Sequence, residues 1–117
     1  MALLYLRVLL GALMFQTVDA AQLKALLEGD DRPLLLDVRT AGEFARGTIA
    51  GAQHAELPTL PAKVDAFDPR AAVVLICQSG TRSAQGCAWL EQRGFERVYN
   101  LGGGIADWTR AGLPLGS

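Results

Sequence analysis

Cysteine and histidine are scarce in this chain: two cysteines, Cys77 and Cys87, and one histidine, His54. That is too few ligands for a zinc site and no basis for a disulfide framework, so no metal is expected. An excess of one charge is also lacking. Eleven Lys and Arg against twelve Asp and Glu leave a formal net charge of -1, which offers no electrostatic footprint for nucleic acid. No repeat or low-complexity stretch is visible. The longest apolar run, residues 1–15, is interrupted by Arg7 and falls short of the ~20 residues a membrane span needs.

What is there reads as globular. Half of the 117 residues are hydrophobic and 20% are charged, a balance that builds a core and excludes disorder. We read one domain over residues 15–117, preceded by an apolar extension over residues 1–14. Two readings of that extension stand side by side. It is an additional helix or strand packed on the domain, or a signal or anchor segment. In the second, Arg7 closes the basic region, residues 8–15 form the apolar core, and Val18-Asp19-Ala20 is the cleavage site. Cleavage there would remove an apparent first strand and helix cap. The chain is therefore placed in the cytoplasm, or in the periplasm or at a membrane if residues 1–20 are a targeting segment.

The chain is organised around Val73-Val74-Leu75-Ile76-Cys77-Gln78-Ser79-Gly80-Thr81-Arg82-Ser83. Residues 73–76 form a buried strand, continuous in β-branched and aliphatic residues. A polar loop led by Cys77 follows, and helical composition resumes at Ala84, with Ser83, Cys87 and Leu90 on one face. Gly94 ends that helix. A loop between a strand and a helix start presents unpaired N–H groups and the positive end of the helix dipole. A cysteine at its mouth should be acidified, because the thiolate is the reactive form and such surroundings favour it. Arg82 adds a fixed positive charge, and Gly80 permits a sharp turn.

Strands and helices alternate along the rest. Residues 15–18 read as a strand, Ala20–Glu28 as a helix capped by Asp19 and Gln22, and residues 34–36 as a strand ending in Asp37-Val38-Arg39. Thr40 caps a short helix with Glu43 in its first turn. Residues 53–56 suit an edge strand, residues 58–67 a helix, residues 95–101 a strand, and residues 105–110 a last helix. This order argues for an α/β fold with a mainly parallel sheet. Gly102-Gly103-Gly104 lacks the spacing of a phosphate loop. It reads as a device that lets the backbone pass close to the cysteine loop.

Taken together, Leu36-Asp37-Val38-Arg39, Glu43-Phe44, Gly47-Thr48-Ile49-Ala50-Gly51-Ala52, the Cys77–Ser83 run and Leu101-Gly102-Gly103-Gly104-Ile105-Ala106-Asp107-Trp108 resemble a single-domain rhodanese, a thiosulfate sulfurtransferase. One departure is Thr48, where the family usually has histidine, so a hydrogen bond there is lost or replaced. The resemblance implies about five strands with helices on both faces. It implies that Cys77 is the nucleophile and takes sulfane sulfur from thiosulfate or a similar donor as a persulfide. Gln78, Ser79, Gly80, Thr81 and Arg82 form the binding loop, and Arg82 holds an anionic donor at the rim. Cyanide or a thiol, in one case on a sulfur-acceptor protein, takes the sulfur away, with no cofactor. Four residues separate Cys77 from Arg82, one fewer than in the related tyrosine phosphatases and arsenate reductases, which fits sulfur better than a tetrahedral oxyanion. A small oxyanion reductase or phosphatase and a non-catalytic binding module are the alternatives. Asp37, Arg39 and Glu43 are expected as one charge network beneath the loop, with Arg39 as a second candidate for attracting the donor. Cys87 is read as packing or as a resolving thiol, His54 as structural, and Trp89 and Trp108 as packing.

Overall fold

A computed structural model describes residues 14–116, so the expectations for the apolar extension fall almost wholly outside the described residues. Five strands form one parallel sheet: β1 (Gln16–Val18), β2 (Leu34–Asp37), β3 (Gln53–His54), β4 (Val73–Ile76) and β5 (Val98–Leu101). Their spatial order is β1-β5-β4-β2-β3, with β4 at the centre. β1 pairs with β5, Val18 lying opposite Leu101. The short strand beside the candidate cleavage site is thus part of the sheet.

The α-helices among the described residues are α1 (Ala20–Glu28), α2 (Ala41–Ala45), α3 (Leu60–Lys63), α4 (Thr81–Gln92) and α5 (Gly104–Arg110). They cover both faces of the sheet. Strand alternation sorts the core accordingly. Leu36, Val73 and Leu75 face Leu60, Cys87 and Leu90. Leu35, Val74 and Ile76 face Leu23, Ile105 and Trp108. All four residues of β4 are buried, as a central parallel strand requires.

Several element boundaries differ from the sequence reading, three of them for a clear local reason. α4 begins at Thr81 rather than Ala84, because Gly80 takes a left-handed conformation (φ 97°) that turns the chain at once into the helix. The segment read as one helix over residues 58–67 is a single α-turn between two short 3₁₀ turns, with Pro58 near the start of the first 3₁₀ turn and Pro61 near the start of the α-turn. Proline suits a first turn and cannot continue a helix. β5 starts at Val98, since the Phe95 N–H bonds back to Leu90 of α4 instead of entering the sheet. The Asp19–Gln22 capping box forms as read. No helix among the described residues is long and apolar enough to cross a membrane.

Candidate active site

Because the strands are parallel, the carboxyl ends of β2, β4 and β5 lie at one edge, where open α/β sheets place their sites. Cys77 follows β4 directly and is fully buried. Its Sγ accepts hydrogen bonds from the N–H groups of Gly80 at 3.1 Å and Ser83 at 3.3 Å, and lies 3.2 Å from the Ser83 hydroxyl. Burial pushes this thiol up, but the Ser83 hydroxyl and the N–H groups of Ser83, Ser79 and Gly80 outweigh it. The thiol is held below its ordinary range. The start of the 12-residue helix α4 adds its dipole in the same direction.

The glycine-rich turn after β5 braces this loop from behind. The Ile105 N–H donates to the Cys77 carbonyl at 2.9 Å and the Ala106 N–H to that of Gln78 at 3.1 Å. Gln78, Ser79 and Thr81 lie on the exposed side of the loop, while Gly80 is buried. A side chain on Gly80 would overlap the Gly102 carbonyl, so the two turns touch through bare backbone.

Two residues to which the sequence reading gave no role at the site, Ser83 and Asn100, complete the surroundings of the sulfur. The Ser83 hydroxyl donates to Asn100 Oδ1 at 2.5 Å, and Asn100 Nδ2 donates to the Gly80 carbonyl at 3.2 Å. Ser83 carries one proton and faces two acceptors. When Cys77 is a thiol, its S–H can donate to Ser83. When it is a thiolate, the Ser83 proton is drawn to sulfur. A serine on the face of Cys87 and an asparagine within an otherwise apolar strand were the available signals. Ser83→Ala is expected to raise the Cys77 pKa and move thiol reactivity to higher pH, with alkylation near neutrality slowed about tenfold, the value of roughly 1.5 kcal/mol for a hydrogen bond to a charged group. Ultraviolet titration of the thiolate and alkylation rates against pH check both.

The charged residues separate into two pairs, which corrects the single network expected from the sequence. Asp37 and Arg39 are buried together, with Arg39 Nη2 2.7 Å from Asp37 Oδ2. The Thr48 hydroxyl also donates to Asp37 Oδ2, at 2.8 Å, and Arg39 donates to the Gly47 carbonyl. Thr48 thus makes a buried hydrogen bond through its hydroxyl. Glu43 instead grips Arg82 through both carboxylate oxygens, at 2.7 and 2.8 Å. The Arg82 guanidinium, helped by the Thr40 N–H, holds the Glu43 carboxyl at about 2. The reason for the split is local. Glu43 belongs to the capping box of α2 with Thr40, which points it toward the loop and away from Asp37.

None of the remaining candidates hydrogen-bonds the Cys77 sulfur. Cys87 is buried, its thiol pushed well above the ordinary range by burial, and its S–H reaches the Tyr99 carbonyl at 3.4 Å. His54 stacks on Phe44 at 4.7 Å and its Nε2 lies 2.7 Å from the Arg39 carbonyl. Trp108 is buried and donates to the Pro114 carbonyl, and Arg93 lies over the Trp89 ring. Beside the loop opens a cleft of about 460 Å³ whose walls include Arg39, Glu43, Arg46, Gln78, Ile105 and Leu115. That is a size typical of small-molecule sites, ~300–1,000 Å³. Among the described residues no cluster of His, Cys, Asp and Glu is placed to hold a metal ion.

Comparison with known proteins points to one family. A sulfurtransferase of Allochromatium vinosum is 39% identical over 102 residues, 87% of this chain and 95% of the relative. The thiosulfate sulfurtransferase GlpE of Actinobacillus succinogenes is 34% identical over 85 residues, 73% of this chain and 77% of the relative. The crystal structure of a rhodanese-like domain protein from Staphylococcus aureus superposes with a TM-score of 0.78 at 29% identity, covering 88% of this chain and all of that one. The family model for the rhodanese-like domain matches residues 19–111. Nearly the whole described fold, the cysteine loop included, lies within that match, and the chain belongs to the rhodanese-like domain family.

Proposed function

We propose that the protein is a sulfurtransferase that carries sulfane sulfur as a persulfide on Cys77. The observation that carries this reading is the convergence of two N–H groups and one hydroxyl on a single buried sulfur. The sulfurtransferase names of its relatives support the general activity. The donor and the covalent step are our own reading.

In the first half-reaction the Cys77 thiolate attacks the outer sulfur of thiosulfate. The new Cys77 S–S bond forms, the bond within the donor breaks, and sulfite leaves with the electron pair. In the second, cyanide or a thiolate attacks the outer sulfur of the persulfide and returns Cys77 as a thiolate. The anionic outer sulfur inherits the donors that held the thiolate, together with the dipole of α4. No separate base is required, because the nucleophile is already acidified. Cys77 is fully covered, so a donor reaches its sulfur only after local movement of the surrounding chain.

Thiosulfate treatment followed by peptide mass spectrometry tests the reading. A gain of about 32 Da, the mass of one added sulfur, is expected on the Cys77 peptide and not on the Cys87 peptide, and cyanide should remove it. Absence of that gain with several sulfur donors, alongside hydrolysis of an aryl phosphate, would turn the assignment to phosphate chemistry. Neither activity, with the fold intact, would leave a binding module.

A further inference from the structure

Three guanidinium groups stand at or near the cleft, and two of them are neutralised. Arg39 is locked to Asp37 in a buried pair. Arg82, the residue first expected to meet the donor, is held by both oxygens of Glu43, and it is not among the cleft-lining residues. Arg46 differs from both. It closes the C-terminal end of α2, is exposed, and lines the cleft with Gln78 of the cysteine loop. Among the described residues its guanidinium has no hydrogen bond and no ion pair. With Asp37 cancelling Arg39 and Glu43 cancelling Arg82, Arg46 is the cleft's uncompensated positive charge.

We propose that Arg46 is the specificity-determining residue that recognises the oxyanion end of the sulfur donor, and hence that the cleft selects donors bearing a sulfonate-type group. The identity of that anion rests on the sulfurtransferase reading above. The chemistry suits the role. A guanidinium presents several N–H groups in a plane and binds oxyanions through two of them. A free one needs no carboxylate displaced before it binds. An exposed one acts through a screened field, so its contribution should fall as salt rises. The cleft wall at Gln78 and Ile105 is continuous with the cysteine loop, since the Ile105 N–H bonds the Cys77 carbonyl. An anion held at Arg46 is therefore tethered beside the loop that carries Cys77.

Thiosulfate titrated calorimetrically into a Cys77→Ala protein, where no turnover occurs, tests the assignment. Adding Arg46→Ala should weaken binding about tenfold and flatten its dependence on salt, while Arg46→Lys should stay within about threefold. In the otherwise native protein, Arg46→Ala should raise KM for thiosulfate by a similar factor and leave kcat within about twofold, the pattern of lost uniform binding. The KM for uncharged 2-mercaptoethanol as acceptor should not move. Thiosulfate affinity unchanged by Arg46→Ala overturns the inference, whatever the transfer assay shows. A native protein that binds thiosulfate through Arg46 but gains no sulfur on Cys77 keeps the inference and removes the sulfurtransferase reading.

Discussion

Gly104→Ala is expected to lower kcat/KM for sulfur transfer about a hundredfold while leaving the secondary structure in place. Gly104 sits at φ 63°, in the left-handed region that costs an L-residue roughly 1–2 kcal/mol. The space matters more than the conformation. A methyl group there would overlap the Gln78 carbonyl oxygen and lie 2.6 Å from that of Cys77. Both are backbone atoms of the cysteine loop, and both accept hydrogen bonds from the turn that Gly104 begins. The loop cannot keep its place once the methyl is present. A shift of about 1 Å in a reacting group is enough to cost on the order of 100-fold in rate. The thiol should also lose part of its acidity as the Gly80 and Ser83 N–H groups fall out of line with sulfur.

Gly112→Ala separates this effect from backbone strain. Gly112 is also left-handed, at φ 81°, but nothing lies within 4 Å of the position a methyl would take. That variant should lose about 1 kcal/mol of stability, the cost of the conformation, and keep its activity. Steady-state kinetics, circular dichroism and thiolate titration on the two proteins make the comparison. Equal activities would show that contact between the glycine turn and the cysteine loop has no part in placing the sulfur.

How much of this was legible in the sequence depends on the range of the interaction. The central strand and its loop were readable because the signals are local: an apolar run, a cysteine, a glycine and then a helical face. The Asp19–Gln22 capping box and the Thr40 cap were readable for the same reason, since the partners lie within one turn; that Glu43 closes a second capping box with Thr40 is a finding of the structure. The order of the strands was not, because β1 pairs with β5 across some eighty residues and no local pattern encodes that choice. The same holds for the charges. Glu43 and Arg82 are 39 positions apart, and only the fold brings them together. Asn100 was hidden for a related reason. A lone amide in a strand has many uses, and its task here is defined by Ser83 and Gly80 on other elements.

Asp37→Asn is expected to destabilise the domain by about 3 kcal/mol or more, a fall in Tm of roughly 12 °C. Asp37 has no exposed surface and Arg39 retains 4%. The carboxylate accepts the Arg39 backbone N–H, two nitrogens of its guanidinium and the Thr48 hydroxyl. An amide keeps the shape but removes the charge, so a permanently charged guanidinium is left buried without its counterion. That residual charge, rather than the lost attraction, sets the size of the effect. Changing Asp37→Leu, Arg39→Met and Thr48→Val together removes the charges and the dependent hydroxyl at once, and should recover much of the loss. The consequences extend beyond stability. The Arg39 carbonyl holds His54, and Thr40, the next residue, caps the helix that delivers Glu43 to Arg82. Urea unfolding of the single and triple variants measures the energetics. A single variant as stable as the parent would mean that water reaches Arg39 and that the pair is no buried anchor for the end of β2.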